Sequence, residues 1–243
     1  MGEHTKISWT QATWNPWIGC RKISQGCANC YMYTAQKRYG NDPTIIRRTS
    51  PSTFNSPLKW RDKRLVFTCS WSDFFISEAD QWRSDAWEII RNTRHIYQIL
   101  TKRPMAAHTR VPSDWGDGWA NVWLGVTVEN AEARGRFFDL LNMPAKLRFL
   151  SVEPMLGPVD ISIYTDLPDW VICGGESGPG ARPMNIQWAR DLRNQCAKYG
   201  IPFFFKQVGG RGLDHGGDLL DGLEHKEFPA TYDVLMKSLQ QEV

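Results

Sequence analysis

Six short apolar runs constrain what this chain can fold into: Leu65–Cys69, Ile96–Leu100, Val122–Val126, Leu147–Ser151, Trp170–Cys173 and Pro202–Phe205. Each is rich in β-branched or aromatic residues and too short for a buried helix, so each reads as a strand. Their starts lie 23 to 32 residues apart, room for a strand, a helix and two loops. Helical patterns over Gln81–Thr93, Ala131–Leu141 and Gln187–Tyr199 fill three of the gaps, and Gly200 stops the last. Strands that are apolar throughout and alternate with helices imply a parallel α/β sheet. With one or two more strands in the first 60 residues, the count approaches a TIM-like (β/α) barrel, whole or incomplete, with an N-terminal cysteine loop. A doubly wound open sheet is the alternative, weakened because no G-x-G-x-x-G follows the first strand. No interdomain linker is evident, so residues 1–243 read as one domain; 40–64 and 209–227 read as long loops.

Composition excludes several classes. With 42% hydrophobic and 23% charged residues, the chain can bury a core and is neither a disordered tail nor a coiled coil. No apolar run reaches the roughly 18 residues of a membrane span. Met1 to Lys6 has no apolar stretch behind it, so no export signal is expected and the expected location is cytoplasmic. The net charge of +3 permits nucleic acid as a partner without demanding it. Twelve tryptophans suit either core packing or stacking on bases, and packing is the expectation for most.

The strand ends carry polar groups repeatedly. Cys69-Ser70-Trp71-Ser72-Asp73, Thr101-Lys102-Arg103, Thr127-Val128-Glu129, Ser151-Val152-Glu153, Cys173-Gly174-Gly175-Glu176 and Lys206-Gln207 each follow or close an apolar run. One such end reads as a cap or turn. Six in the same sense point to one polar pocket, because parallel strands deliver their C-terminal ends to the same face. Glu129, Glu153, Glu176, Lys102 and Lys206 are therefore the candidate catalytic residues, and the pocket is expected to face the cysteine loop. Hydrogen bonds to Lys102, Arg103 or Lys206 are the structural alternative for the three glutamates.

Cys20, Cys27 and Cys30 form a C-x6-C-x2-C arrangement, with Gly19 and Gly26 to fold the loop and Arg21 and Lys22 to favour thiolate. Structural zinc sites usually have four protein ligands, and no second Cys or His pair completes a set here. Three thiolates with one open position fit a [4Fe–4S] cluster; zinc and inert thiols remain the alternatives. Cys69, Cys173 and Cys196 read as buried small residues.

A three-cysteine loop at the start of a barrel resembles the radical S-adenosylmethionine superfamily. That resemblance implies an open iron holding S-adenosylmethionine, cleaved by an outside electron donor to a 5′-deoxyadenosyl radical. Gly174-Gly175-Glu176 is similar to that family's Gly-Gly-Glu motif, so Gly174, Gly175 and Glu176 become cofactor-binding candidates. The usual loop is C-x3-C-x2-C with an aromatic residue before the last cysteine; here the first spacer is longer and Asn29 holds that place. More closely, Thr13-Trp14-Asn15-Pro16, Ser24-Gln25-Gly26-Cys27-Ala28-Asn29-Cys30-Tyr31, Ser151-Val152-Glu153-Pro154-Met155, Gly174-Gly175-Glu176-Ser177-Gly178 and Phe205-Lys206-Gln207 resemble an uncharacterised phage-associated family, known as a domain of unknown function.

The resulting expectation is an iron–sulfur enzyme acting on nucleic acid or a nucleotide, for instance in lesion repair. Trp71 is the candidate stacking residue, and Lys37-Arg38, Arg47-Arg48, Lys59, Arg61, Lys63-Arg64 and Lys102-Arg103 are a candidate phosphate track. A solvated basic surface is the plainer reading of those doublets. Repair of pyrimidine dimers without S-adenosylmethionine, and a non-enzymatic metal-bearing nucleic-acid-binding protein, are the competing functions.

Overall fold

A computed structural model describes residues 2–212 and 214–232. These fall into two compact units, residues 2–127 with 136–147, and residues 128–135 with 148–212 and 214–232.

The first unit holds strands β1 (Ala12–Trp14), β2 (Trp17–Ile18), β3 (Arg47–Arg48), β4 (Leu65–Thr68), β5 (Ile96–Thr101) and β6 (Val122–Thr127). Its helices are α1 (Tyr31–Arg38), α2 (Pro51–Phe54), α3 (Asp80–Arg91), α4 (Pro104–Ala107) and, from Arg136 onward, α5 (Gly135–Leu141). β1, β4, β5 and β6 lie side by side in that order, all parallel. All six residues of β6 are buried, as expected of a parallel strand covered on both faces. Helix α3 turns Arg83, Ala86, Trp87 and Ile90 inward at three- and four-residue spacing.

The second unit holds β7 (Arg148–Val152), β8 (Trp170–Gly174) and β9 (Phe203–Gln207), again parallel and in sequence order. Helix α6 (Ile186–Tyr199) connects β8 to β9. The Asn185 side chain caps it by accepting from the Gln187 N–H at 2.9 Å. Gly200 ends it in the left-handed conformation with φ of 67°. Ala189, Leu192 and Cys196 are its buried stripe.

The mixed α/β class is thus the observed architecture, its main strands parallel and β2 and β3 paired antiparallel, and all six predicted strands are present to within a residue or two at each end. The stretches 40–64 and 209–227, expected as loops, hold β3 and α2 in the first case and a short antiparallel pair, Leu219–Leu220 with Leu223–Glu224, in the second. The tryptophans divide as expected. Trp9, Trp14, Trp17, Trp87, Trp115, Trp123 and Trp170 are buried; Trp60, Trp71, Trp82, Trp119 and Trp188 are half-buried. Among the described residues no helix is long and apolar enough to cross a membrane.

Candidate functional site

The cysteine loop belongs to the first unit and is built on the ends of β1 and β4. Asn15, just past β1, accepts from the Trp71 backbone N–H at 2.7 Å through Oδ1, and donates to Ser70 Oγ at 3.0 Å through Nδ2. The Gly19 N–H then donates to the Trp71 carbonyl at 3.1 Å, and Ser72 Oγ donates to the Gly19 carbonyl at 2.6 Å. Gly19 has φ of +95°, and a Cβ there would stand 2.3 Å from the Ile45 carbonyl oxygen, so the chain can enter the loop only through glycine. Beyond it, the Cys20 N–H donates to the Pro43 carbonyl and the Tyr33 hydroxyl to the Cys20 carbonyl. Lys22 Nζ donates to the Ala28 carbonyl at 2.6 Å and lies over the Tyr33 ring.

This folding brings Cys20, Cys27 and Cys30 into mutual electrostatic range. The Cys20 and Cys30 fields each couple to Cys27, and Tyr33 feels all three. Burial pushes the Cys20 thiol up to about 11, with the Asp73 carboxylate adding to the rise and Arg103 opposing it. Burial also works against the Cys27 thiolate, but backbone hydrogen bonding at Ile23, the Lys102 charge and Ser24 outweigh it, and its pKa falls below the usual thiol value. Cys30 is raised by burial against the same Lys102 charge. Cys27 Sγ is 3.7 Å from Ser24 Oγ. Among the described residues no three His, Cys, Asp or Glu side chains are arranged to hold a single metal ion.

Asp73 and Arg103 complete this site; the sequence marks Asp73 only as a strand-end residue and Arg103 only as a phosphate-track candidate or a partner for a glutamate. Asp73 is buried and accepts from the Phe75 N–H, Thr101 Oγ1, the Lys102 N–H and Arg103 Nη1 at 2.7 to 3.0 Å. Its two oxygens are fully committed, so it is a poor candidate for a fourth ligand. Arg103 Nη1 also lies 3.8 Å from Cys20 Sγ, and Nη2 donates to the Arg21 carbonyl at 2.8 Å. Trp71 is half-buried and tied through its backbone to Gly19 and Asn15, beside the loop.

Glu129, Glu153, Glu176 and Lys206 all fall in the second unit, at or just past strand ends. Lys206 Nζ and a Glu153 oxygen form an ion pair that is about one-fifth exposed on each side. Glu176 is buried and clamped by Arg182, whose backbone N–H and Nε donate to Oε2 at 2.9 and 2.8 Å while Nη2 donates to Oε1 at 2.5 Å. That pairing, with a further contribution from the Glu129 charge, raises the Arg182 pKa. The Gly174 carbonyl accepts from the Met155 N–H, which ties the segment after β7 to the end of β8, and the Glu129 carbonyl accepts from the Leu156 N–H. The second unit therefore gathers four of the five catalytic candidates, while Lys102 stands with the cysteines in the first. Arg182 was not legible as a site residue: it sits in a Gly/Pro-rich loop with no periodicity to mark it.

Gly174 and Gly175 have a packing role in this arrangement. A Cβ on Gly175 would lie 1.9 Å from the Val208 carbonyl oxygen, and one on Gly174 would touch the Lys206 Cβ at 3.4 Å. Cys69, Cys173 and Cys196 are buried, and burial pushes the Cys196 thiol up to about 12. Several of the basic residues are engaged within the first unit. Arg47 donates to Gln36, Arg48 pairs with Asp85, and Arg64 pairs with Glu3. Lys37, Arg38, Lys59 and Arg61 are exposed. A cleft of about 500 Å³ between α3 and residues 109–113 is lined by Asp80, Arg83, Trp87, Glu88, Arg91 and Arg110. Its arginines are bound to Asp80 and Asp114, which makes it a structural feature.

A family model described as a protein of unknown function (DUF5131) matches residues 4–229. The chain belongs to this family. Membership covers both units and agrees with the closer of the two resemblances, that to a domain of unknown function. It adds nothing to the resemblance to the radical S-adenosylmethionine superfamily. No curated protein and no solved structure matches the chain.

Proposed function

We propose that this DUF5131 chain is an iron–sulfur enzyme of the radical S-adenosylmethionine type, acting on nucleic acid or a nucleotide within an incomplete TIM-like barrel. One observation carries the reading. Three thiols on a preshaped loop share one electrostatic neighbourhood with Lys102 and Arg103, and the nearby carboxylate, Asp73, is already saturated. That donor set suits a [4Fe–4S] cluster held by three cysteines better than a four-ligand zinc site. Cys20, Cys27 and Cys30 would hold the cluster. When bound, it supplies one-electron chemistry and an iron with a position open to S-adenosylmethionine. Lys102 places a positive charge toward Cys27 and Cys30. Glu176, with Gly174 and Gly175, is the proposed contact for the methionine amino group; it has to exchange Arg182 for that ligand. Glu129, Glu153 and Lys206 are the proposed acid–base groups. An electron donor and a cytoplasmic setting belong to the same proposal.

Protein purified without air is expected to contain iron and sulfide and to absorb near about 400 nm from thiolate-to-iron charge transfer. Changing any one of Cys20, Cys27 or Cys30 to Ala should abolish that band. Stoichiometric zinc without iron would overturn the reading and favour a non-enzymatic metal-bearing protein.

The nucleic-acid part rests on exposed Lys37, Arg38, Lys59 and Arg61 and on Trp71 beside the loop. A base inside a duplex cannot enter a pocket, so the substrate is single-stranded or flipped, held by stacking of roughly 1–3 kcal/mol per base. Affinity for lesion-bearing single-stranded DNA should fall steeply as salt is raised. Trp71→Ala should remove activity while leaving salt-sensitive binding in place. Undetectable binding at low salt would redirect the search to a soluble metabolite.

A further inference from the structure

Arg103 joins three parts of the first unit that are distant in sequence. Its guanidinium contacts the Asp73 carboxylate at 3.0 Å, the Arg21 carbonyl at 2.8 Å and the Cys20 sulfur at 3.8 Å. Its own backbone N–H is fixed by Thr101 Oγ1 at 2.8 Å, and Thr101 is bonded in turn to Asp73. The side chain is about one-sixth exposed, so solvent screens the charge only partly. Cys20 is the cysteine at the far end of the long six-residue spacer; its backbone is fixed by Pro43 and Tyr33, and Arg103 is the cation at its sulfur.

The geometry points to Arg103 as a positioning residue for the Cys20 corner of the cluster: buttressed by Asp73, it anchors the long arm and holds a permanent positive charge against the Cys20 sulfur. This rests on the reading of the three cysteines as cluster ligands. Reduction moves one electron from the donor onto the cluster, adding one negative charge. Beside this ligand sulfur the guanidinium offsets the negative charge of the Asp73 carboxylate it pairs with, so relative to a neutral side chain in its place it stabilises the reduced form and raises the reduction potential. A guanidinium keeps its proton throughout the accessible range, so the effect does not titrate away.

The test compares anaerobically purified wild type, R103M and R103K for iron content, electron paramagnetic resonance and midpoint potential by spectroelectrochemistry. R103M is expected to shift the midpoint to a lower potential and alter the resonance of the reduced cluster. R103K, which keeps the charge, is expected to stay near wild type in potential. Loss of iron from R103M with retention in R103K supports the same role. An unchanged potential in R103M at wild-type iron content overturns it. Iron loss from both variants with unchanged circular dichroism leaves Arg103 as an anchor alone and overturns the electrostatic part. Iron-free wild type would remove the cluster reading itself, and the role of Arg103 toward it falls at that step, before any variant is compared.

Discussion

Gly175→Ala is expected to cost about 3 kcal/mol or more and to lower Tm by on the order of 10 °C in a chain of this length. The added methyl would sit 1.9 Å from the Val208 oxygen, 2.7 Å from the Val208 carbonyl carbon and 3.1 Å from the Gly209 Cα. All three are backbone atoms. The surrounding backbone is held on both sides, because the Gly175 N–H donates to the Gln207 carbonyl and Gln207 Nε2 donates back to the Gly175 carbonyl, both at 3.0 Å. Relief therefore requires β8 and the segment after β9 to separate. Gly135→Ala is the control: its Cβ meets nothing within 4 Å, and its helical φ suits alanine. That variant should match or exceed wild type in stability. A Gly175→Ala protein melting within about 2 °C of wild type would show that the close approach is absent.

The second large effect is expected at Asp73. Asp73→Ala removes the acceptor for two backbone N–H groups, a hydroxyl and the Arg103 guanidinium at once. Removing one member of a buried ion pair costs roughly 3–5 kcal/mol, because the remaining charge stays buried without compensation. Urea unfolding should show this loss with the slope m unchanged. The double variant D73A/R103M should recover part of it, since the stranded cation is then gone as well. A loss below about 1 kcal/mol in D73A would mean that water replaces the carboxylate freely.

The strands were the most legible part of the chain, for a physical reason. A parallel strand buried on both faces has no polar alternation to obscure it, so Val122–Thr127 and Trp170–Gly174 appear as unbroken apolar runs. Helix α1 leaves no signal in the sequence, because only Met32 and Gln36 of Tyr31–Arg38 are buried and a two-residue stripe makes no recognisable periodicity. Strand β1 is three residues long, too short to show a pattern of its own, so the sequence supports only one or two unplaced strands in the first 60 residues. At the site, the cysteines were legible because their spacing is local. The Asp73–Arg103 pair was not, because its partners lie 30 residues apart and meet only once β4 and β5 lie side by side. By its resemblance Gly175 is a cofactor-binding candidate, and the contact that requires a glycine there comes from Val208, more than thirty residues downstream.

The hydrogen bonds that shape the cysteine loop run to carbonyl oxygens: Gly19 to Trp71, Cys20 to Pro43, Tyr33 to Cys20, Lys22 to Ala28 and Arg103 to Arg21. None of these depends on a sulfur–metal bond. Zinc fingers are the opposite case, with a fold that exists only while the metal is held. Under the proposed reading, such a loop is expected to keep its shape when the cluster is lost to oxygen and to take up a replacement without first refolding. On that proposal, damage and repair of the cluster become a matter of inorganic exchange at a standing scaffold, and the lifetime of the protein is uncoupled from the lifetime of the cluster.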